Sequence, residues 1–327
     1  MRKLIFTFLA LTISFSLVAQ QEKECCKKNE GAACCKADKE SVSKSGWSKK
    51  GEFNFIVGQG GSRNWAAGSQ RFSLLGDVTL NFQANRTWRK NIWENNFDLA
   101  YGVLNISKVG LRKIDDKIDF TSLFRHSVSK NNVIGVGGWF NMRSQFHNGY
   151  DYTATGKNRI SGLMAPGYLT LAPGIELRPK CFSMFISPVA SRMIVFTNEP
   201  YSFQYQGGVK PDGTSEVPLS WFYNVDPERK VRFEFGALVS TKLSKNIAKN
   251  VGYRTRLDVF SNYVDDPQNI DVFWNNNFEF KVNKCLSASY TFDLIYDDDV
   301  KMFGPLKNQA ATQMRSQLGV GLVAKFR

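Results

Sequence analysis

The chain of 327 residues has only two histidines, His126 and His147. No serine stands in a G-x-S-x-G setting. A barrel hydrolase pairing serine with His147 would need a third group to orient the imidazole, and nothing in the sequence supplies one. The chain is therefore read as non-enzymatic. Beyond the first nineteen residues there is no apolar run of the roughly 20 residues that a spanning helix requires, so transmembrane helices are excluded there. A dense basic block is also missing, although the net charge is +14. The cations are spread along the chain and recur in short turns, which argues against nucleic acid and leaves an anionic membrane surface or an anionic solute.

What is present begins with an export signal. Arg2 and Lys3 precede an apolar run from Leu4 to Val18, and Ala19 leads into polar Gln20, Gln21 and Glu22. This is the layout of a signal peptide over residues 1–19, cleaved after Ala19. No cysteine stands at the cleavage point, so a lipoprotein anchor is not expected. Residues 20–48 are rich in Lys, Glu, Ser and Ala and cannot bury enough surface to fold, so a disordered periplasmic tail is expected. The tail carries two adjacent pairs, Cys25-Cys26 and Cys34-Cys35. An oxidising compartment favours disulfides between them. Four thiolates would alternatively hold Zn²⁺ or Cu(I), although adjacent cysteines converge on one ion less readily than C-x-x-C. No other cofactor is implied. Cys181 and Cys285 fall in two separate turns; a bridge would need their Cα atoms within about 7 Å, and two free thiols are expected over it because the turns are not neighbours in strand order.

From residue 49 to 327 period-two alternation takes over. Leu318, Val320, Leu322, Ala324 and Phe326 share one face of the last segment, opposite Gln317, Gly319, Gly321 and Lys325, with Val323 out of pattern. Phe233, Phe235, Ala237 and Val239 oppose Arg232, Glu234, Gly236, Ser240 and Lys242, with Leu238 out of pattern. Several segments hold the pattern for about ten residues, the length of a membrane barrel strand rather than of a globular one. Aromatic residues make up 13% of the chain, and Trp88, Trp93, Tyr101, Tyr253 and Trp274 recur near segment ends, where head groups would meet them. The mean hydropathy of −0.30 is no obstacle, because alternation hides barrels from hydropathy scans.

The pattern predicts an all-β fold, an antiparallel transmembrane β-barrel of about twelve strands, within about ten to fourteen. The segments start near Glu52, Phe72, Asn91, Asp115, Val133, Tyr168, Phe182, Lys230, Gly252, Ile270, Leu286 and Met314. Tight basic turns alternate with longer loops around Asn64, Tyr150, Pro211 and Gly304, the plan of an outer-membrane barrel with both termini in the periplasm. Ending on an aromatic-terminated strand resembles the signal read by the outer-membrane assembly machinery, so that machinery and membrane lipid are the expected partners. By strand parity Asp98, Arg125, Glu234, Arg254, Arg256, Asp258, Asp271, Lys281 and Asp293 point into the lumen, as do Asp77, Asp119 and Glu279. They either pair across the lumen and plug it or line a narrow polar channel. Trp65, in the first long loop, either touches a ligand or partner or packs on the barrel rim. On the last strand Val320 is expected to reject arginine, and Gly319 to accept serine.

Several short motifs add a resemblance. Asn64-Trp65-Ala66-Ala67-Gly68, Tyr101-Gly102, Asp115-Asp116, Gln145-Phe146 with Gly149-Tyr150, Ile160-Ser161 with Ala165-Pro166-Gly167-Tyr168, Ser187-Pro188, Asn262-Tyr263 and Trp274 resemble those of the family called domain of unknown function 3078. The resemblance runs over residues 51 to 327. It departs at Ser69, where the family has glycine, and in the cysteine tail. It implies an outer-membrane barrel of Gram-negative bacteria and no established activity. Two functions follow: a narrow channel or transporter for small solutes, or a non-conducting partner in an outer-membrane complex.

Overall fold

The computed structural model describes residues 45–60, 73–107, 109–152, 157–197, 209, 213, 218–283, 286–303 and 309–326. The signal peptide, the four tail cysteines and Trp65 lie outside the described residues. No helix of the described residues is long and apolar enough to cross a membrane.

The first strands are β1 (Gly46–Gly60), β2 (Ser73–Trp88), β3 (Asn91–Ile106), β4 (Gly110–Ser127) and β5 (Ile134–Ser144). A small hairpin, β6 (Gly149–Tyr152) and β7 (Lys157–Ser161), follows outside the barrel. Then come β8 (Gly167–Leu177), β9 (Phe182–Val195), β10 (Val231–Ala248), β11 (Val251–Asn262), β12 (Ile270–Lys281), β13 (Leu286–Tyr296) and β14 (Gln313–Phe326). Apart from the hairpin they form a closed antiparallel barrel of twelve strands in the order β1-β14-β13-β12-β11-β10-β9-β8-β5-β4-β3-β2. Most segment starts read from the sequence fall within a residue of these. β1 begins earlier, at Gly46 rather than Glu52, and β4 at Gly110 rather than Asp115. Residues 46–48, assigned to the tail by composition, pair with Asn85, Arg86 and Thr87 of β2.

Short connections such as Arg89-Lys90 and Lys249-Asn250 gather at the end that holds both termini of the barrel. The longer connections gather at the opposite end, with one exception: β3 and β4 are joined there by residues 107–109 alone. These are called here the terminal end and the loop end.

The outward rows explain why the sheet closes. Phe53, Phe55 and Val57 on β1, Phe233 and Phe235 on β10, and Leu318, Val320 and Leu322 on β14 are all exposed, Leu318 by 73%. A contiguous apolar band of this kind does not face water in a monomeric protein. Against lipid it is the low-energy surface, and closure pairs the backbone groups that hydrocarbon cannot satisfy. At the terminal end Trp47 and Trp93 meet with ring centroids 5.9 Å apart. The Arg86 guanidinium lies 5.8 Å from the Trp47 ring centroid and 5.3 Å from that of Trp88. Indole rings with a cation among them suit the head-group boundary.

The closing seam joins β1 to β14, with Gly51 opposite Phe326. A Cβ on Gly51 would stand 1.9 Å from Phe326 Cε2, so the terminal aromatic ring needs this glycine beneath it. The inner-face position Gly319 is not open, contrary to expectation. A Cβ there would stand 2.7 Å from Ile56 Cγ2, so serine must displace the Ile56 side chain. A cleaner comparison uses Ser289, which lines the lumen opposite Gly319. Val320→Arg should lower the stability of the barrel in vesicles by about 2–4 kcal/mol in a urea titration, because the charge lands in hydrocarbon. Ser289→Arg should cost much less. Equal losses would mean that β14 has no lipid-facing side.

Candidate functional site

The lumen is divided lengthwise. On one side, inward side chains of six adjacent strands form an apolar plug: Leu123, Trp139, Ala172, Phe185, Ala190, Leu238 and Phe260. The interior is thus not polar throughout, as parity alone suggests, and Leu238 falls in the inward row because that row is apolar there. A strand irregularity fits the plug. β9 bulges against β10 at Pro188 and Val189, and Ser187 Oγ donates to the carbonyl oxygens of Pro173 at 2.6 Å and Val189 at 2.9 Å. Proline lacks the N–H that a regular ladder would require, so it is tolerated at a bulge.

Arginines lie over the plug and pair with carboxylates on the facing wall. The Arg256 guanidinium is 5.7 Å from the Trp139 ring centroid, Arg192 is 4.3 Å from that of Phe260, and Arg143 is 3.8 Å from that of Phe273. Arg256, on β11, reaches Asp119 on β4 at 3.4 Å and its own neighbour Asp258 at 2.8 Å. Arg143, on β5, reaches Asp119 at 3.3 Å and also pairs with Asp258. Two arginines and two aspartates thus form a square between walls nearly opposite in strand order. Asn141 donates to Asp119 at 2.6 Å and Ser240 to Asp258 at 2.6 Å, which satisfies further lone pairs.

Further pairs cross the lumen towards each end. Towards the loop end Arg315 of β14 bridges Asp115 of β4 and Asp293 of β13. At the terminal end Arg178 binds Glu94 of β3 through both guanidinium branches at 2.5 and 2.8 Å, and Glu176 at 2.7 Å. Arg254 and Lys325 share Glu52 and Glu279 at 2.7–3.4 Å.

Beside the plug remains a cavity of about 640 Å³, walled mainly by β1–β4 and β11–β14. Along β2 it runs from Asp77 to Asn85, about 26 Å at the usual rise of roughly 3.3 Å per residue. Amides and hydroxyls make up much of its wall, among them Asn54, Asn81, Gln83, Asn275, Asn277 and Gln317. Six carboxylates and seven cations also line it, so the two signs nearly balance.

The residues expected in the lumen fall into distinct roles. Arg254, Arg256, Asp258 and Asp293 are in the crossing pairs. Asp98 lines the cavity, held by the amides of Asn81 and Asn96. Arg125 is 1% exposed and pairs with Glu176 at 2.9 Å. Glu234 and Asp271 meet Arg192 at the loop end. Lys281 is instead exposed, at the last position of β12 and away from the cavity. Sequence reasoning missed Arg143, Arg178, Arg192 and Arg315. Parity does place Arg315 inside, on the row of Gln317 and Gly319, but Arg178 lies beyond β8 in a connection and reaches back.

At the loop end a second apolar cluster forms a cap. It contains Ala165, Ile194, Phe196, Leu219, Tyr223, Val225 and Val300, centred on a 3-10 turn at Leu219–Tyr223. Under it carboxylates outnumber arginines. Arg232 meets Asp265 and Asp299 at 3.0 Å and Glu234 at 3.4 Å. Burial pushes the Asp297 carboxyl up to about 7, helped by Asp271, Asp299 and Glu234 and opposed by Arg192. Burial beside Asp297 also raises the Tyr223 hydroxyl. A raised carboxyl binds its proton more tightly folded than unfolded. The cap is therefore fully stable below the unfolded value near 4 and loses stability as pH rises to about 7. Amide exchange around Val300 should be faster at pH 8 than at pH 5, and Asp297→Asn should flatten that dependence. Exchange that slows with rising pH, after correction for its intrinsic rate, would contradict this.

Most family-like motif residues shape the loop-end rim. Asp116 accepts the backbone N–H groups of Phe146 and His147 at 2.7 and 2.8 Å and binds Lys113 at 2.8 Å. Ser161 Oγ donates to Gln145 at 3.0 Å, and a Cβ on Gly149 would collide with that hydroxyl. The His147 ring packs on Tyr101 with centroids 5.2 Å apart, and His126 Nδ1 meets Asn91 Oδ1 at 2.7 Å. Cys181, expected as a free thiol, is disulfide-bonded on the cavity wall near the terminal end, its partner lying outside the described residues.

No curated protein matches the chain. Outer membrane phospholipase A from Escherichia coli is similar over 84% of this chain and 89% of its own, at 8% identity and a TM-score of 0.36. An outer membrane channel from Pseudomonas putida F1 is similar over 89% and 98%, at 10% identity and a TM-score of 0.38. Such likeness concerns the barrel fold alone. Residues 57–150, a shorter stretch than the 51–327 read from the motifs, match the model of the family described as Protein of unknown function (DUF3078).

Proposed function

We propose that this barrel sits in the outer membrane and is a narrow conduit for small polar solutes of low net charge. The observation that carries the reading is the amide-lined cavity beside the plug, which runs most of the length of β2. Amides and hydroxyls offer both donors and acceptors, so they replace water around a neutral polar solute. Near balance of charge along the wall disfavours strong ion selectivity. The terminal end would face the periplasm and the loop end the outside. Arg315 with Asp115 would gate the outer side, and Arg178 with Glu94 the inner side. The lipid belt supports membrane lipid as a partner, and the exposed Phe326 ring on β14 is the contact proposed for the assembly machinery. No catalytic step is assigned, since each histidine contacts a neighbour at the rim or strand end.

The second reading is a non-conducting partner in an outer-membrane complex. The extent of the plug and the crossing pairs favour it. Planar-bilayer recording separates the two. The wild-type barrel should show small, weakly selective conductance, and Arg315→Gln with Arg178→Gln should enlarge it. A folded barrel that stays silent in both forms would support the complex partner instead.

A further inference from the structure

The ladder that closes the barrel is incomplete. β1 pairs with β2 along its whole length, from Gly46 to Gly60. β14 pairs with β13 from Gln313 to Leu322. Between β1 and β14, however, pairing covers only Gly51–Ile56 against Gly321–Phe326. Continuing that register would set Val57 against Val320, Gly58 against Gly319 and Gln59 against Leu318. These residues are all described, and none of them pairs across the seam. Ile56 is the last residue to touch: its side chain lies where a Cβ of Gly319 would be. One position on, a Cβ on Gly58 would meet only Leu75 of β2 and no atom of β14.

Two strand edges therefore face each other unjoined in the loop half of the barrel, at the depth of the apolar belt. Unpaired N–H and C=O groups are costly in hydrocarbon, so an unjoined seam there needs water or a polar group reaching it. The two sides of the gap differ sharply. Outside stand Val57, Leu318 and Val320, each more than half exposed. Inside, Arg315 and Gln317 of β14 line the polar cavity, with Asp77 and Asn54 nearby on its wall. An apolar exterior and a polar interior within one strand width match a molecule with an acyl chain and a polar head.

We propose that the β1–β14 seam is a lateral portal through which a bilayer amphiphile places its polar head in the cavity while its chain stays in lipid. The inference rests on the membrane-barrel reading and adds, beside the small polar solutes of the conduit, an amphiphile that enters from the side. Glycine at position 58 leaves the gap clear on its inner side, and the Ile56 side chain, lying over Gly319, closes it below. The strand-edge groups above Ile56 provide hydrogen bonds for the head group as it passes. A second protein adding a strand to these edges is the competing occupant.

The test uses the full barrel refolded into phosphatidylethanolamine–phosphatidylglycerol vesicles, with a photo-cross-linking residue at Gln317 inside the cavity. The same residue at Leu322, on the lipid face, is the control. Irradiation should give a phospholipid adduct at both positions. In a Val57→Cys, Val320→Cys background, a short cross-linker that joins the two cysteines should abolish the Gln317 adduct and leave the Leu322 adduct unchanged. A heat-dependent gel shift confirms that each variant is folded. An adduct at Leu322 with none at Gln317, or a Gln317 adduct indifferent to the cross-link, would overturn the portal. So would rapid, complete disulfide formation between the two cysteines without a linker, since that marks a closed seam. Outer-membrane preparations irradiated in parallel should yield no protein adduct at Gln317; such an adduct would replace the amphiphile by a partner strand. Loss of labelling at Leu322 itself would instead defeat the membrane reading.

Discussion

The interior depends on the square formed by Asp119, Arg143, Asp258 and Arg256. These four groups join β4 and β5 to β11 through the middle of the lumen, beside the apolar plug and between the pairs that cross nearer each end. Burying charge is expensive unless geometry and further hydrogen bonds compensate. Here Asn141, Thr121 and Ser240 add those bonds, and aromatic faces of Trp139 and Phe273 lie against the guanidinium groups. The apolar plug makes the arrangement workable: it keeps water from one side of the pairs, so each ion finds its partner rather than solvent. What is left over is the cavity, walled mainly by the strands on the other side.

This division ties the fold to its function. An open twelve-stranded barrel would be a wide, unselective path. Filling half of it narrows the path, and pairs at both ends make it interruptible. The same walls carry the unjoined seam, so the polar cavity lies one strand away from the hydrocarbon belt. Under the proposed reading, a barrel of this design would sort molecules by polarity and shape rather than by charge.

Much of the envelope was legible in the sequence, because lipid outside and a lumen inside impose a period of two on every strand. That period located β3, β9, β12 and β13 to the residue at their starts. It also placed Arg254, Arg256, Asp258 and Asp293 on the inner wall. It failed where the interior is apolar, since Leu238 or Phe260 facing inwards reads as disorder in the pattern when a polar lumen is assumed. Arg143 and Arg192 were missed for a related reason: parity gives a side, but only the closed barrel shows which opposite wall a long side chain reaches. Lys281 has the right parity yet stands at the strand end, where the wall gives way to solvent. The disulfide at Cys181 was ranked below a free thiol, because strand order on paper does not give the distance between turns.

The central claim is that opposite walls of the barrel are held together through the lumen by ion pairs. A double-mutant cycle tests it most directly, with Asp119→Asn, Arg256→Gln and the double variant compared by urea unfolding from vesicles. The account predicts coupling within the range of about 0.5–3 kcal/mol found for residues in one network, the double variant losing less than the two single losses combined. Strictly additive losses would show that the two residues do not interact in the membrane-embedded barrel and would contradict the account.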